Sequence, residues 1–265
     1  MELYQLTILA LVQGITEFLP ISSSGHLVIA SKVLAWPDQG LTIDVALHFG
    51  TLGAVLVYFW RDLWHMGLGL GKLCVGKPNK NSKLAINLIV ATIPVAILAI
   101  FARENVETYF RSLEVVAWTT LGFGILLWIA DRATLTIHRC GDLSIFHALF
   151  IGTAQLLAFI PGTSRAGITM TAGRLLSMDR AETARFSMLL SIPTIAGISV
   201  ISAVELYQED NFKMQMEAII AVGLAFIAGF AAIAAMLRWL THSSFTPFVL
   251  YRLVLGVALL VMVYH

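Results

Sequence analysis

The run TEFLPISSSGHL, residues 16–27, sets a carboxylate (Glu17), three hydroxyls (Ser22, Ser23, Ser24) and an imidazole (His26) inside an otherwise apolar stretch. A second run, PGTSRAG at residues 161–167, supplies Gly162, Thr163, Ser164 and the guanidinium of Arg165. Polar groups in apolar surroundings are costly unless something bonds them, so both runs need internal partners or a polar guest. Each serine cluster follows a proline and precedes a helix-like run. The unpaired N–H groups at such a helix start attract anions. Ser22 and Ser24 in the first run, and Gly162, Thr163 and Ser164 in the second, are therefore read as cradle residues. The planar fork of Arg165 suits phosphate oxygens. Two facing cradles and one arginine would suit a diphosphate.

Gln13 and Glu17 lie four apart and share a helix face. A carboxylate beside an amide oxygen fits one corner of a Mg²⁺ or Ca²⁺ shell, with phosphate and water completing it. Glu17 is the metal-ligand candidate and Gln13 its neighbour toward substrate. Ser23 and His26 lie three apart, so His26 could activate Ser23 or a water, or itself accept a phosphoryl group. Glu17, Ser23, His26 and Arg165 form the catalytic set, and their chemistry is metal-assisted phosphoryl transfer. His48 reads instead as a satisfied intramembrane histidine rather than a ligand.

These residues need a scaffold, and composition indicates its class. The chain has 265 residues, 58% of them hydrophobic and 12% charged. Soluble domains carry about 25% charged residues, so the pattern is that of a multi-pass membrane protein. A net charge of +1 offers no field for nucleic acid. Cys74 and Cys140 stand alone and imply neither a disulfide framework nor a metal knuckle. The opening MELYQLTILALVQG lacks a basic leader, so no cleaved signal is expected.

A spanning helix needs about 20 apolar residues. Six stretches meet this: Leu41–Trp60, Leu84–Ala102, Leu113–Ala130, Ala184–Glu205, Glu217–Arg238 and Pro247–Tyr264. Leu3–Leu34 and Leu143–Leu176 are interrupted by the two polar runs and are expected to be re-entrant helix pairs. Lysines and arginines between Arg61 and Lys83 place that loop in the cytoplasm, and those flanking the later spans agree. The first pair then dips from outside and the second from inside. The expected fold is an all-α, single membrane domain over 1–265. Its half-repeats cover about 1–131 and about 143–265 in an inverted-topology arrangement. Local echoes support this: PISS at Pro20 against PGTS at Pro161, with Gln13 and Gln155 seven and six residues upstream. Such repeats set their site at mid-membrane, where broken helices meet.

VQGITEFLPISSSGHL, PGTSRAGITMTAGRLLSMDRAETARFSMLLSIPT and FTPFVLYR, in this order and spacing, resemble the undecaprenyl-pyrophosphate phosphatases of the bacitracin-resistance type. The resemblance covers essentially the whole chain. It implies a bacterial cytoplasmic-membrane enzyme that converts undecaprenyl diphosphate to the monophosphate carrier used in peptidoglycan synthesis, with the site reached from the outer face. It implies the same six-span fold with two opposed re-entrant pairs. Carried onto this chain, it makes Glu17 the essential acid, with Ser23, His26 and Arg165 as further site residues. Where the family admits Glu or Gln, this chain has Gln13, which leaves Glu17 as the main ligand. The implied partners are the polyprenyl diphosphate and membrane lipids, and a homodimer is compatible with the pattern. SSSGH also looks like an element of the type 2 phosphatidic-acid phosphatases. Their K-x6-R-P element is missing, however, and Thr171 stands where they require His after Arg165. The rival class is a secondary transporter or flippase for an anionic lipid. Ser23 and His26 beside Glu17 and Arg165 favour the enzyme, because transport needs no nucleophile.

Overall fold

The computed structural model describes residues 2–33, 36, 40–110, 112–133, 136, 138–206 and 212–265. These residues are helical almost throughout: α1 Leu3–Phe18, α2 Ser23–Val33, α3 Gly40–Tyr58, α4 Trp60–Cys74, α5 Lys80–Phe110, α6 Leu113–Ala133, α7 Ile145–Ala154, α8 Arg165–Leu175, α9 Arg180–Leu206, α10 Phe212–Leu240 and α11 Thr246–Tyr264. Short 3₁₀ turns cover Cys140–Asp142 and Gln155–Phe159. The one strand-like contact among them is an isolated bridge between His138 and Met178.

Four helices are long and apolar enough to cross a membrane, within α5, α6, α10 and α11, and a fifth follows if α3 and α4 count as one bent span. The chain is a multi-pass membrane protein. Leu3–Phe18 and Ile145–Phe159 are apolar but too short to cross, as expected for arms of broken helices. Proline explains both breaks. Leu19 precedes Pro20 and Ile160 precedes Pro161, and both are extended, at φ −81°, ψ 149° and φ −80°, ψ 117°.

Two boundaries differ from the sequence expectation. The stretch from Trp60 onward is not a loop but α4, bent 70° away from α3. It buries Met66 and Gly69 while exposing Trp60, Trp64 and Leu68, the habit of a helix lying along a membrane surface. The span begun near Leu84 continues past Ala102 to Phe110 as part of α5. The acidic segment 207–211 lies outside the described residues.

The molecule is apolar outside and polar within. Ile100, Phe101, Phe146 and Val254 are exposed, whereas Gln13, Glu17, Gln155, Arg174 and Arg252 are buried. Hydrocarbon rather than water must cover such a surface. The arms of the two broken helices cross long partners closely. A Cβ on Gly14 of α1 would sit 2.8 Å from the Ala225 carbonyl oxygen of α10, and one on Gly152 of α7 would sit 2.3 Å from that of Ala91 of α5. Without a hydrophobic force between helices in lipid, this small-residue contact is what lets them pack.

At one end of the bundle, charges tie five helices. Asp131 of α6 accepts Arg174 of α8 at 3.1 Å and Arg180 of α9 at 2.7 Å. Its other oxygen takes the Phe245 N–H, just before α11, at 3.4 Å. Arg185 of α9 pairs with Asp62 of α4.

Candidate active site

Both elbows solve the same backbone problem in the same way. After each proline the chain must reverse and begin a new helix, and it does so through a serine in the left-handed region: Ser22 at φ 73° and Ser164 at φ 70°. Each serine hydroxyl then caps its helix, accepting the N–H of Gly25 at 3.3 Å and of Gly167 at 3.0 Å. The match is offset by one residue from the PISS/PGTS echo. Ser22 corresponds to Ser164, so Arg165 takes the place of Ser23. Gly162 is constrained twice. Its φ is +89°, and a Cβ there would lie 2.2 Å from Thr119 Oγ1.

A cavity of about 200 Å³ opens between the elbows, lined by Glu17, Ser22, Ser23, Ser24, Ser164 and Arg165, together with His48 and Gln155. Glu17 stands at its centre, only 8% exposed. Its Oε1 accepts Arg165 at 3.0 Å. Its Oε2 accepts the Ser23 hydroxyl at 2.7 Å and the Gln13 side-chain amide at 3.0 Å. Arg165 also reaches the Glu17 carbonyl at 3.3 Å and the Ser187 carbonyl at 3.5 Å. One ion pair thus bridges the two broken helices, and the Ser23 hydroxyl donates to its acid.

The remaining sequence candidates lie elsewhere. Gln13 is fully buried behind Glu17 and does not line the cavity. His26 stands 2.7 Å from the Ser22 carbonyl through Nδ1 and 2.5 Å from the Tyr251 hydroxyl through Nε2. A carbonyl only accepts, so Nδ1 carries the proton and Nε2 accepts from Tyr251. The imidazole therefore braces the first elbow, and the Ser23 hydroxyl is bonded to Glu17 rather than to it. Gly162 and Thr163 also lie off the cavity, offering their carbonyls to Arg252 at 3.0 Å each.

Three contributors are not among the candidate residues, although Arg252 closes the FTPFVLYR run. Arg252 of α11, 0% exposed, also holds the Pro20 carbonyl at 3.1 Å, along with the Thr120 carbonyl at 3.1 Å and that of Thr119 at 3.4 Å. A fully buried arginine in an apolar span was the signal for it. His48 lines the cavity with Nδ1 donated to the Asp44 carbonyl at 2.7 Å, which leaves Nε2 as the basic nitrogen. Gln155 lines it from the start of the second elbow's 3₁₀ turn.

The donor set suits a hard cation. Glu17 supplies a carboxylate, and the buried Oε1 of Gln155, which also lines the cavity, has no hydrogen-bond partner among the described residues. Oxygen donors with few charges are what Mg²⁺ or Ca²⁺ takes when a substrate's phosphates complete the shell. No group of three or more His, Cys, Asp or Glu among the described residues forms an all-protein cage.

A family model described as "Bacitracin resistance protein BacA" matches residues 6–258. The chain belongs to this family. Its relatives match end to end. A protein named Undecaprenyl-diphosphatase from Jannaschia sp. is 47% identical, over 100% of both chains. Undecaprenyl-diphosphatase 1 of Rhodospirillum rubrum is 46% identical over 100% of this chain and 96% of its own. The Undecaprenyl-diphosphatase of Teredinibacter turnerae is 42% identical over 99% and 100%. Of the motif residues that mark the family resemblance, Glu17, Ser23 and Arg165 meet in this chain's cavity, while His26 supports the elbow from behind.

Proposed function

We propose that this chain hydrolyses undecaprenyl diphosphate to undecaprenyl phosphate and inorganic phosphate. The reaction recycles the lipid carrier for cell-wall synthesis and confers resistance to bacitracin. The observation that carries this reading is the Glu17–Ser23–Arg165 constellation, buried between two helix N-termini in a membrane protein. Arg165 and the first N–H groups of α2 and α8 take the diphosphate oxygens. The Ser23 oxygen attacks the terminal phosphorus as its proton passes to Glu17. The bridging P–O bond breaks and releases the lipid monophosphate, and water then cleaves the phosphoserine. Glu17 would hold a divalent cation of the Mg²⁺ or Ca²⁺ kind, which would supply charge neutralisation when bound. A transporter would need the binding groups but not a hydroxyl bonded to its acid.

The purified protein is expected to release phosphate from a polyprenyl diphosphate, to stop when a chelator is added, and to recover with Mg²⁺ or Ca²⁺. No release with either cation present would reject the reading.

We further propose that the protein lies in the bacterial inner membrane as six spans and two opposed re-entrant pairs forming an inverted repeat. The matched Ser22 and Ser164 elbows support this, as do the paired α1–α10 and α5–α7 crossings. The lysine-rich Lys72–Lys83 end is cytoplasmic and the site is served from outside. Cysteine at Lys77 is then expected to resist an impermeant thiol reagent in intact cells, whereas cysteine at exposed Ser112 should react. Cys74 is exposed and must first be replaced. Cys140 is buried, and burial together with nearby Glu182 pushes its thiol well above the usual range, which keeps it unreactive. The reverse labelling pattern would invert the topology.

A further inference from the structure

Gln155 is fully buried, yet among the described residues neither its Oε1 nor its Nε2 has a hydrogen-bond partner. Leaving both ends of an amide unbonded in a dry interior costs stability, and side chains so placed are retained when a ligand completes them. The residue lines the same cavity as Glu17, Ser23 and Arg165. Its position mirrors that of Gln13: each glutamine lies nine residues before the left-handed serine of its elbow. The two have divergent environments. Gln13 donates to Glu17 and is turned to the acid, whereas the Gln155 amide faces an elbow whose equivalent of Glu17 is Phe159, an apolar residue. Among the described residues nothing competes for its donor or its acceptor.

We propose that Gln155 is a substrate-binding residue, a contact that rests on the phosphatase reading. Its Nε2–H₂ donates to a non-bridging oxygen of the diphosphate. Its Oε1 accepts a hydrogen from a water in the shell of that phosphate or its cation. Phosphate oxygens only accept, so the amide is matched to this guest in one orientation alone. Arg165 grips the diphosphate from the charged side and Gln155 from the neutral one, so the phosphate is oriented without adding a second fixed positive charge. A single Arg–Glu pair then remains the whole ionic inventory of the cavity floor.

The test uses Gln155→Met, which keeps length and volume but removes both hydrogen-bonding ends, with Gln155→Leu as a second variant. Four quantities are read on the full-length protein in detergent. These are the melting temperature, kcat and KM for phosphate release from farnesyl diphosphate, and the melting-temperature rise caused by methylenediphosphonate, a non-hydrolysable diphosphate. The unliganded variants are expected to melt at or above the wild-type temperature, because an unsatisfied amide has gone. KM should rise about tenfold or more, with a smaller loss in kcat, and the methylenediphosphonate shift should largely disappear. A structural role predicts the opposite, a lowered melting temperature with the diphosphate shift preserved in whatever remains folded. Wild-type KM together with a wild-type shift would overturn the proposal. Should the wild-type protein release no phosphate, the phosphatase reading falls by itself, and the methylenediphosphonate shift still decides whether Gln155 binds the diphosphate.

Discussion

Glu17→Gln is expected to lose at least about 1,000-fold in turnover, at the upper part of what removal of one general base costs. The size follows from how much converges on this carboxylate. It is the acceptor for the Ser23 hydroxyl, the counter-ion of Arg165 and, among the described residues, the only carboxylate that lines the cavity. A glutamine keeps the shape but presents a neutral oxygen and an N–H₂ group. One of these must face either Ser23 or Arg165 with the wrong polarity. Raised Mg²⁺ or Ca²⁺ should rescue little, because an amide oxygen neither takes the serine proton nor balances the guanidinium. Removing one partner of a buried pair also costs stability, about 3–5 kcal/mol where burial is complete. Gel filtration and a thermal melt in detergent must therefore accompany the rate. A folded Glu17→Gln protein with near-normal phosphate release would remove Glu17 from both the metal and the base role.

Arg165→Lys should lower kcat at least about 100-fold, or roughly 3 kcal/mol of transition-state stabilisation, with a smaller rise in KM. The guanidinium spans three acceptors: the Glu17 carboxylate, the Glu17 carbonyl and the Ser187 carbonyl. It can hold its place between the elbows while presenting remaining N–H groups to substrate. Lysine keeps the charge but has one nitrogen on a flexible stem, so it can either pair with Glu17 or reach the phosphate. Orientation of the leaving phosphate suffers more than attraction to it, which is why kcat should fall further than affinity. A protein with wild-type kcat and only a raised KM would show that Arg165 gathers anions and takes no part in the transfer.

Glu17, Ser23 and Arg165 are legible in the sequence for one physical reason. An ionisable or hydroxyl group in an apolar run carries a desolvation cost that demands a purpose, and the prolines beside them mark where the backbone must break. Neutral groups announce less. Gln155 resembles any amide, and its only signal is its correspondence to Gln13 in the other half. His48 reads as a satisfied histidine rather than a ligand; the structure holds its Nδ1 on the Asp44 carbonyl, yet the residue also lines the cavity. His26 is misleading in the reverse sense. Three-residue spacing puts it on the face of Ser23, but Tyr251, 225 residues away in sequence, claims its free nitrogen. No local pattern encodes such a pairing. The same holds for the 70° bend before α4, where apolar residues run straight through from α3 and the change of direction depends on what packs around Phe59.

Arg252 sets a mechanical limit on the molecule. Its guanidinium takes five carbonyl oxygens, from Pro20 in the first elbow, from Gly162 and Thr163 in the second, and from Thr119 and Thr120 of α6. A carrier that exposes its cargo to alternate sides must let its half-molecules rock about the binding site. Here that hinge line is riveted. Any rocking that parts the elbows would strip several carbonyls of their donor away from water, at about 1–3 kcal/mol for each group left bare. The far end offers no pivot either, because Asp131 binds α8, α9 and the start of α11 to α6. The two elbows therefore behave as jaws of a fixed vice. The diphosphate has to come to them, between elbows that Arg252 holds together.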